Sequence, residues 1–234
     1  MALRLSAGAG RMNFNRLAPF YQTLESVCAG KKMHRCRVAF LEALPAAEHV
    51  LLLGEGPGRS LLEYGQRFPA ARLTCVDGSA AMLDRARRQG RHLSAFRARV
   101  HFVHADLENW LPPESRYDLV VTHFFLDCFR REQLPPLIRK IARAARPAAN
   151  WLVADFQLAA SGWKRLRSRL ILWGLYQFFR VTTRLPARSL TNPDPFLQAA
   201  GFHLVHRKET EWQLLRSDWW QRSSHSPVDV PSPR

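Results

Sequence analysis

Four consecutive apolar residues, Val50-Leu51-Leu52-Leu53, run straight into Gly54-Glu55-Gly56-Pro57-Gly58, and this junction constrains the fold more than any other stretch of the chain. An uninterrupted apolar run has no polar face to offer water, so it reads as a strand buried on both sides, as in a parallel sheet. The glycines after it allow a sharp turn into a helix and let backbone come close to a ligand, because glycine lacks Cβ and tolerates positive φ.

Alternation of this kind continues along the chain. Residues 50–53, 72–76, 100–103, 118–122 and 151–154 predict strands. Residues 60–68, 79–88, 132–145 and 195–200 predict helices, the third stopped by Pro147 and the last by Gly201. Residues 202–205 and 212–215 read as two successive strands joined by a short polar connection, an antiparallel hairpin at the sheet edge. The expected architecture is α/β: a mostly parallel seven-stranded sheet with helices on both faces and binding at the carboxyl ends of the early strands.

At 234 residues the chain predicts one domain, over residues 12–220. A helical cap is expected at 12–45, within which apolar residues recur at helical spacing over 13–44 until Pro45, and an insertion at 156–190. Residues 221–234, rich in Ser and Pro, are expected to be disordered. No apolar run reaches the roughly 18 residues of a spanning helix, and the first residues lack the apolar core of a secretory signal, although their lack of acids leaves a transit peptide open. Cys28, Cys36, Cys75 and Cys128 match neither a metal pair nor a disulfide framework. Reduced thiols, no bound metal and a cytoplasmic chain are expected.

The formal charge of +16 is large enough to attract nucleic acid, anionic lipid or an anionic substrate. The arginines responsible are spread along the chain, which equally fits a solvated basic surface.

Asp77 closes the second predicted strand, where a carboxylate can accept both hydroxyl hydrogens of a ribose. Together with the glycine turn it indicates an adenosine ligand. Arg59 stands where the dinucleotide pattern requires its last glycine, so the turn reads GxGxG and argues against a nicotinamide or flavin enzyme.

Four segments in order, Leu51-Leu52-Leu53-Gly54-Glu55-Gly56-Pro57-Gly58, Val76-Asp77-Gly78-Ser79, His104-Ala105-Asp106-Leu107 and Tyr117-Asp118-Leu119-Val120-Val121, resemble the successive motifs of class I S-adenosylmethionine-dependent methyltransferases. The resemblance implies a Rossmann-like fold with S-adenosylmethionine as cofactor. It implies Gly54, Gly56 and Gly58 against the methionine half, Asp77 with Gly78 and Ser79 at the ribose, and Asp106 with the Leu107 amide at the adenine edge. Ser79 also reads as a helix cap. That family usually carries an acid two residues before the first glycine, where this chain has Leu52, and Glu55 is the candidate substitute for holding the cofactor's ammonium group. The opening Phe14-Asn15-Arg16-Leu17-Ala18-Pro19-Phe20-Tyr21 is similar to that of the quinone-ring methyltransferases of ubiquinone and menaquinone synthesis. This second resemblance implies a small, lipophilic, quinone-like acceptor, and it implies cofactor contacts from Tyr21 and Arg37, which otherwise read as packing and surface residues.

After the fourth strand, Thr122-His123-Phe124-Phe125-Leu126-Asp127-Cys128-Phe129 puts an imidazole and a carboxylate among large apolar residues at the sheet's carboxyl end. His123 is the candidate general base or acceptor-orienting group, against a hydrogen-bonded wall residue. Asp127 is the candidate to orient it, or a helix cap. Residues 163–180 combine a basic first half with an apolar second half and are expected to roof the acceptor, to join a partner chain, to lie on an anionic membrane surface or to pack as core. RNA methylation is less favoured: no added RNA-binding module and no Asn-Pro-Pro-Tyr type motif follows the fourth strand. A non-catalytic binding protein remains open because of Leu52. Oligomeric state is not legible.

Overall fold

β1 (His49–Leu53) lies at the centre of the sheet, with β2 (Arg72–Asp77) on one side and β4 (Tyr117–His123) on the other, both parallel to it. The computed structural model describes residues 30–89, 94–107, 109–183, 187 and 189–224. Its seven strands are ordered β3-β2-β1-β4-β5-β7-β6, with β3 (Val100–His104), β5 (Ala145–Phe156), β6 (Phe202–Thr210) and β7 (Leu215–Arg222) completing the set. β7 runs antiparallel to both β5 and β6, so the expected edge hairpin is present and its second strand is the inner one.

The helices are α1 (Gly30–Arg37), α2 (Leu61–Arg67), α3 (Ala80–Gln89), α4 (Ser94–Arg97), α5 (Leu134–Ala144), α6 (Gly162–Thr183) and α7 (Asp194–Ala199). They cover the sheet on both faces because successive strand residues point to opposite sides. Leu51, Leu53 and Val120 pack with Leu134, Leu137, Ile138 and Ile141 of α5, which repeat at helical spacing. Val50, Leu52, Leu119 and Val121 pack on the other face with Leu61 and Tyr64 of α2. Full burial of a side chain such as Leu51 is worth about 1.5–3 kcal/mol, and β1 is buried on both sides as its apolar run predicts. Chain order reverses between β1 and β4, and such a reversal opens a crevice at the carboxyl ends of those two strands.

Several boundaries differ from expectation. The N-terminal segment is not one helix through residue 44: α1 ends at Arg37 and a 3-10 turn follows at Leu41–Ala43, while residues 13–29 lie outside the described residues. α5 stops at Ala144, and Ala145 already pairs with Tyr117 in the sheet. Pro147 lies inside β5, where the register slips between Tyr117 and Leu119 and Ala148 takes a φ of 59°. A proline cannot donate to the ladder, and this irregularity is where a strand tolerates one. Residues 212–214 form the hairpin turn, with positive φ at Glu211, Trp212 and Gln213, and strand structure begins only at Leu215. Gln221 and Arg222, expected in the tail, are the last residues of β7.

Candidate functional site

The turn after β1 is held by the neighbouring strand. Gly54 donates its N–H to the Val76 carbonyl at 2.9 Å and has a φ of 65°. A Cβ there would come within 2.4 Å of Phe125 Cδ2, so the aromatic after β4 closes one wall of the turn only against glycine. Gly56, with a φ of 62°, faces open space. Gly58 lies against Ala86 of α3.

Asp77, at the end of β2, is buried, and each of its carboxylate oxygens takes one backbone donor: Oδ2 accepts Gly56 N–H at 3.0 Å and Oδ1 accepts Ser79 N–H at 2.8 Å. One further acceptor position per oxygen remains, the complement of a vicinal pair of hydroxyls. Burial pushes the Asp77 carboxyl up, opposed by these two amides and by His104. Ser79 caps α3 as expected, accepting Met82 N–H at 3.3 Å. Beside it, His104 Nε2 lies 3.1 Å from the Gly78 carbonyl. His104 ends β3 opposite Asp77, a contact across strands that the sequence does not announce.

Leu52 is fully buried in the core, so no carboxylate occupies the usual acid position. Glu55 is buried in the turn itself, where its Oε1 accepts Ser60 N–H at 2.6 Å and Ser60 Oγ–H at 2.9 Å. Burial raises its pKa, and the charge of Arg37 opposes that rise. Arg37, on α1, is buried with its guanidinium 4.9 Å from the Phe124 ring centroid. The structure thus brings Arg37, Glu55 and Phe124 to the mouth of the glycine turn. Tyr21 lies outside the described residues. Asp106 and Leu107 follow β3 beyond Asp77: Asp106 is partly exposed and accepts Asn109 Nδ2–H at 3.2 Å, while the buried Leu107 offers its carbonyl to Lys140.

His123 and Asp127 do not meet. His123 is the last residue of β4 and turns toward α2, its ring 6.0 Å from that of Tyr64. Burial, with Arg37 adding to it, lowers its pKa well below the usual histidine value, so the ring is neutral. Among the described residues its buried Nδ1 has no hydrogen-bond partner, which departs from the near-complete pairing of buried polar atoms. Asp127 belongs to a 3-10 turn, Leu126–Cys128, and accepts from Cys128 Sγ at 3.5 Å. Its other partner is Asp155 at the end of β5. Asp127 is therefore not the group that orients His123.

Burial raises both carboxyls of this pair, Asp127 to about 6, and Asp155, which also faces the charge of Asp127, well above the usual carboxylate range. Asp155 was missed by sequence reading; its signal was a lone acid directly after the apolar run 151–154. Tyr176 of α6 crosses above, donating its hydroxyl to the Asp127 carbonyl at 3.1 Å, and Leu172 and Tyr176 pack toward Cys128 and Phe156. The insertion thus roofs the carboxyl ends of β4 and β5. An open cleft of about 710 Å³ lies farther out, lined by Arg130 and Arg131 on one wall and by Leu190, Asn192 and Phe196 on another. It is not at the glycine turn. We place the site at the turn, where the buried polar groups converge, and read this cleft as a neighbouring surface feature.

Residues 50–148 match the sequence family described as "Methyltransferase domain". The chain has a Rossmann-like α/β fold, and residues 50–148 are similar to this methyltransferase-domain family. The chain is also similar to trans-aconitate 2-methyltransferase of Escherichia coli (strain 55989 / EAEC), 33% identical over 144 residues that cover 57% of this chain and 54% of the relative. The chain spans about half the length of the curated relatives it matches. Among solved structures, the mitomycin 7-O-methyltransferase MmcR superposes with a TM-score of 0.65 at 17% identity, covering 90% of this chain and 61% of that one. The N-methyltransferase NodS from Bradyrhizobium japonicum WM9, solved with S-adenosyl-L-homocysteine, superposes at 0.56 with 13% identity, covering 87% and 88%. The likeness to quinone-ring enzymes rests on the opening segment, which lies outside the described residues.

Proposed function

We propose that the protein transfers a methyl group from S-adenosylmethionine to a small organic acceptor. The observation that carries this reading is Asp77: a buried carboxylate that pins the glycine turn through Gly56 yet keeps one acceptor position on each oxygen. The residues present fit the cofactor. Gly56 leaves open space at the turn, and Glu55 and Arg37 offer opposite charges to the zwitterionic end of an amino acid. Tyr21, by resemblance, would join them. Asp106 and the Leu107 amide, by resemblance, would read the adenine edge.

When bound, S-adenosylmethionine supplies an electrophilic methyl on a sulfonium. What this chain contributes is positioning and exclusion of water, which can supply most of the acceleration of such a displacement. Phe124, Phe125 and Phe156 wall the carboxyl ends of β4 and β5 with apolar surface, and α6 roofs it. The neutral His123, whose Nδ1 has no hydrogen-bond partner among the described residues, is suited to accept a hydrogen bond from an acceptor hydroxyl and orient it, its lowered pKa making it a poor base. Asp127, held with Asp155, stands on the α6 side of the same edge.

The apolar walls favour a lipophilic, quinone-like acceptor. A second reading, a carboxylate-bearing acceptor, is favoured by the name of the E. coli relative and by Arg130 and Arg131 in the adjoining cleft. Incubation with methyl-deuterated S-adenosylmethionine and two acceptor sets, hydroxylated quinones and unsaturated tricarboxylates, separates them by product mass. Transfer to quinones alone is expected. Transfer to tricarboxylates alone overturns the lipophilic reading, and failure to bind the cofactor in calorimetry overturns the reading as a methyltransferase.

A further inference from the structure

The 22-residue α6 has two apolar faces, and among the described residues only one of them is covered. Ser168, Leu172 and Tyr176, spaced four apart, are buried against the domain. Around the helix at about 100° per residue, Trp163, Leu166, Leu170 and Trp173 form a separate stripe that points away. All four are more than half exposed, Trp163 at 61% and Trp173 at 67%. Trp212 in the hairpin turn extends the patch, its ring 6.1 Å from that of Trp163 and itself 54% exposed. A contiguous aromatic and leucine stripe of this kind is rarely left in water by a monomeric protein.

The charges beside the stripe say what covers it. α6 contains Lys164, Arg165, Arg167, Arg169 and Arg180 and no acidic residue. By helical angle Arg169 and Arg180 flank the stripe on the Trp173 side, and Arg167 flanks it on the other with its guanidinium 4.6 Å from the Trp212 ring centroid. A second copy docked on this face would bring two sets of the same cations together. Among the described residues no helix is long and apolar enough to cross a membrane. An apolar strip bordered by arginines is what a helix needs to lie in the plane of a bilayer whose headgroups are negative.

We propose that the outward face of α6, with Trp212, seats the protein on an anionic lipid surface. This inference does not depend on the proposed chemistry. Because α6 also roofs the carboxyl ends of β4 and β5, seating would bring those strand ends close to the lipid.

The test is flotation with vesicles of equal parts phosphatidylglycerol and phosphatidylcholine, against vesicles of phosphatidylcholine alone. Binding to the first only, reduced by salt, is expected, with a blue shift of tryptophan emission as Trp163 and Trp173 leave water. The double variant W163S/W173S should bind at least about tenfold more weakly with its circular dichroism unchanged. If that variant fails to fold, Leu166→Gln, a single change at an exposed position, serves instead. Absence of binding to anionic vesicles, or equal binding by wild type and a folded variant, overturns the proposal. So does a dimer of the wild type in sedimentation that the variant loses, which would assign the face to a second copy.

Discussion

Asp77 Oδ2 accepts the Gly56 N–H at 3.0 Å, so the carboxylate at the end of one strand fixes the middle of the glycine turn at the end of its neighbour. On the proposed reading, ligand recognition and turn geometry share this one side chain. Asp77→Ala should weaken S-adenosylmethionine by roughly 2–4 kcal/mol, the range for losing two charge-assisted hydrogen bonds. It should also lower thermal stability, since one buried and one partly buried backbone donor lose their acceptor. Calorimetric titration and a melting curve measure the two effects, and unchanged affinity in a folded variant removes the ribose role.

Glu55 accepts from Ser60 through both its N–H and its hydroxyl, and Glu55→Gln keeps an acceptor oxygen for them while removing the charge. S-adenosylmethionine and S-adenosylhomocysteine carry the same ammonium, so both should weaken alike, by about 1–2 kcal/mol. If only one weakens, or neither, Glu55 is a turn residue and the ammonium is held elsewhere.

Gly54→Ala should be severe for two physical reasons. The φ of 65° disfavours any side chain, and the new methyl would collide with Phe125 Cδ2 at 2.4 Å. Together these predict a loss of roughly 2–4 kcal/mol, readable by urea denaturation.

Asp127 and Asp155 predict an inverted acid response. Their folded-state pKa values are raised by burial, so the folded protein holds more protons than the unfolded chain between the ordinary 3.8 and about 6. Stability from Asp127 is complete below 3.8 and is lost as pH rises through about 6, while that from Asp155 is lost at higher pH. Asp127→Asn, which cannot ionise, should escape the Asp127 share of that loss. The melting-temperature difference between the variant and wild type should grow in the variant's favour across this interval; a constant difference means the pair does not share a proton.

The fold class, and the elements that carry the proposed cofactor residues, were legible in the sequence. A short apolar run that ends in a glycine turn reads as a strand buried on both faces, and that turn, followed by Asp77 after the next run, is local information written in adjacent residues. Ser79 as cap and the edge hairpin were legible for the same reason. The acceptor end was not. His123 and Asp127 are four apart in the chain, yet one turns to Tyr64 and Arg37 and the other to Asp155, because β4 ends at His123 and a 3-10 turn carries Asp127 to the other side. The pairing of Asp127 with Asp155, of Arg37 with Glu55 and of His104 with the Gly78 carbonyl joins residues far apart in the chain. Likewise, composition marked residues 163–180 as apolar and basic, but which stripe faces the core and which faces outward is set by the docking of Leu172 and Tyr176. Periodicity reports that a helix has an apolar face; only packing decides what that face meets.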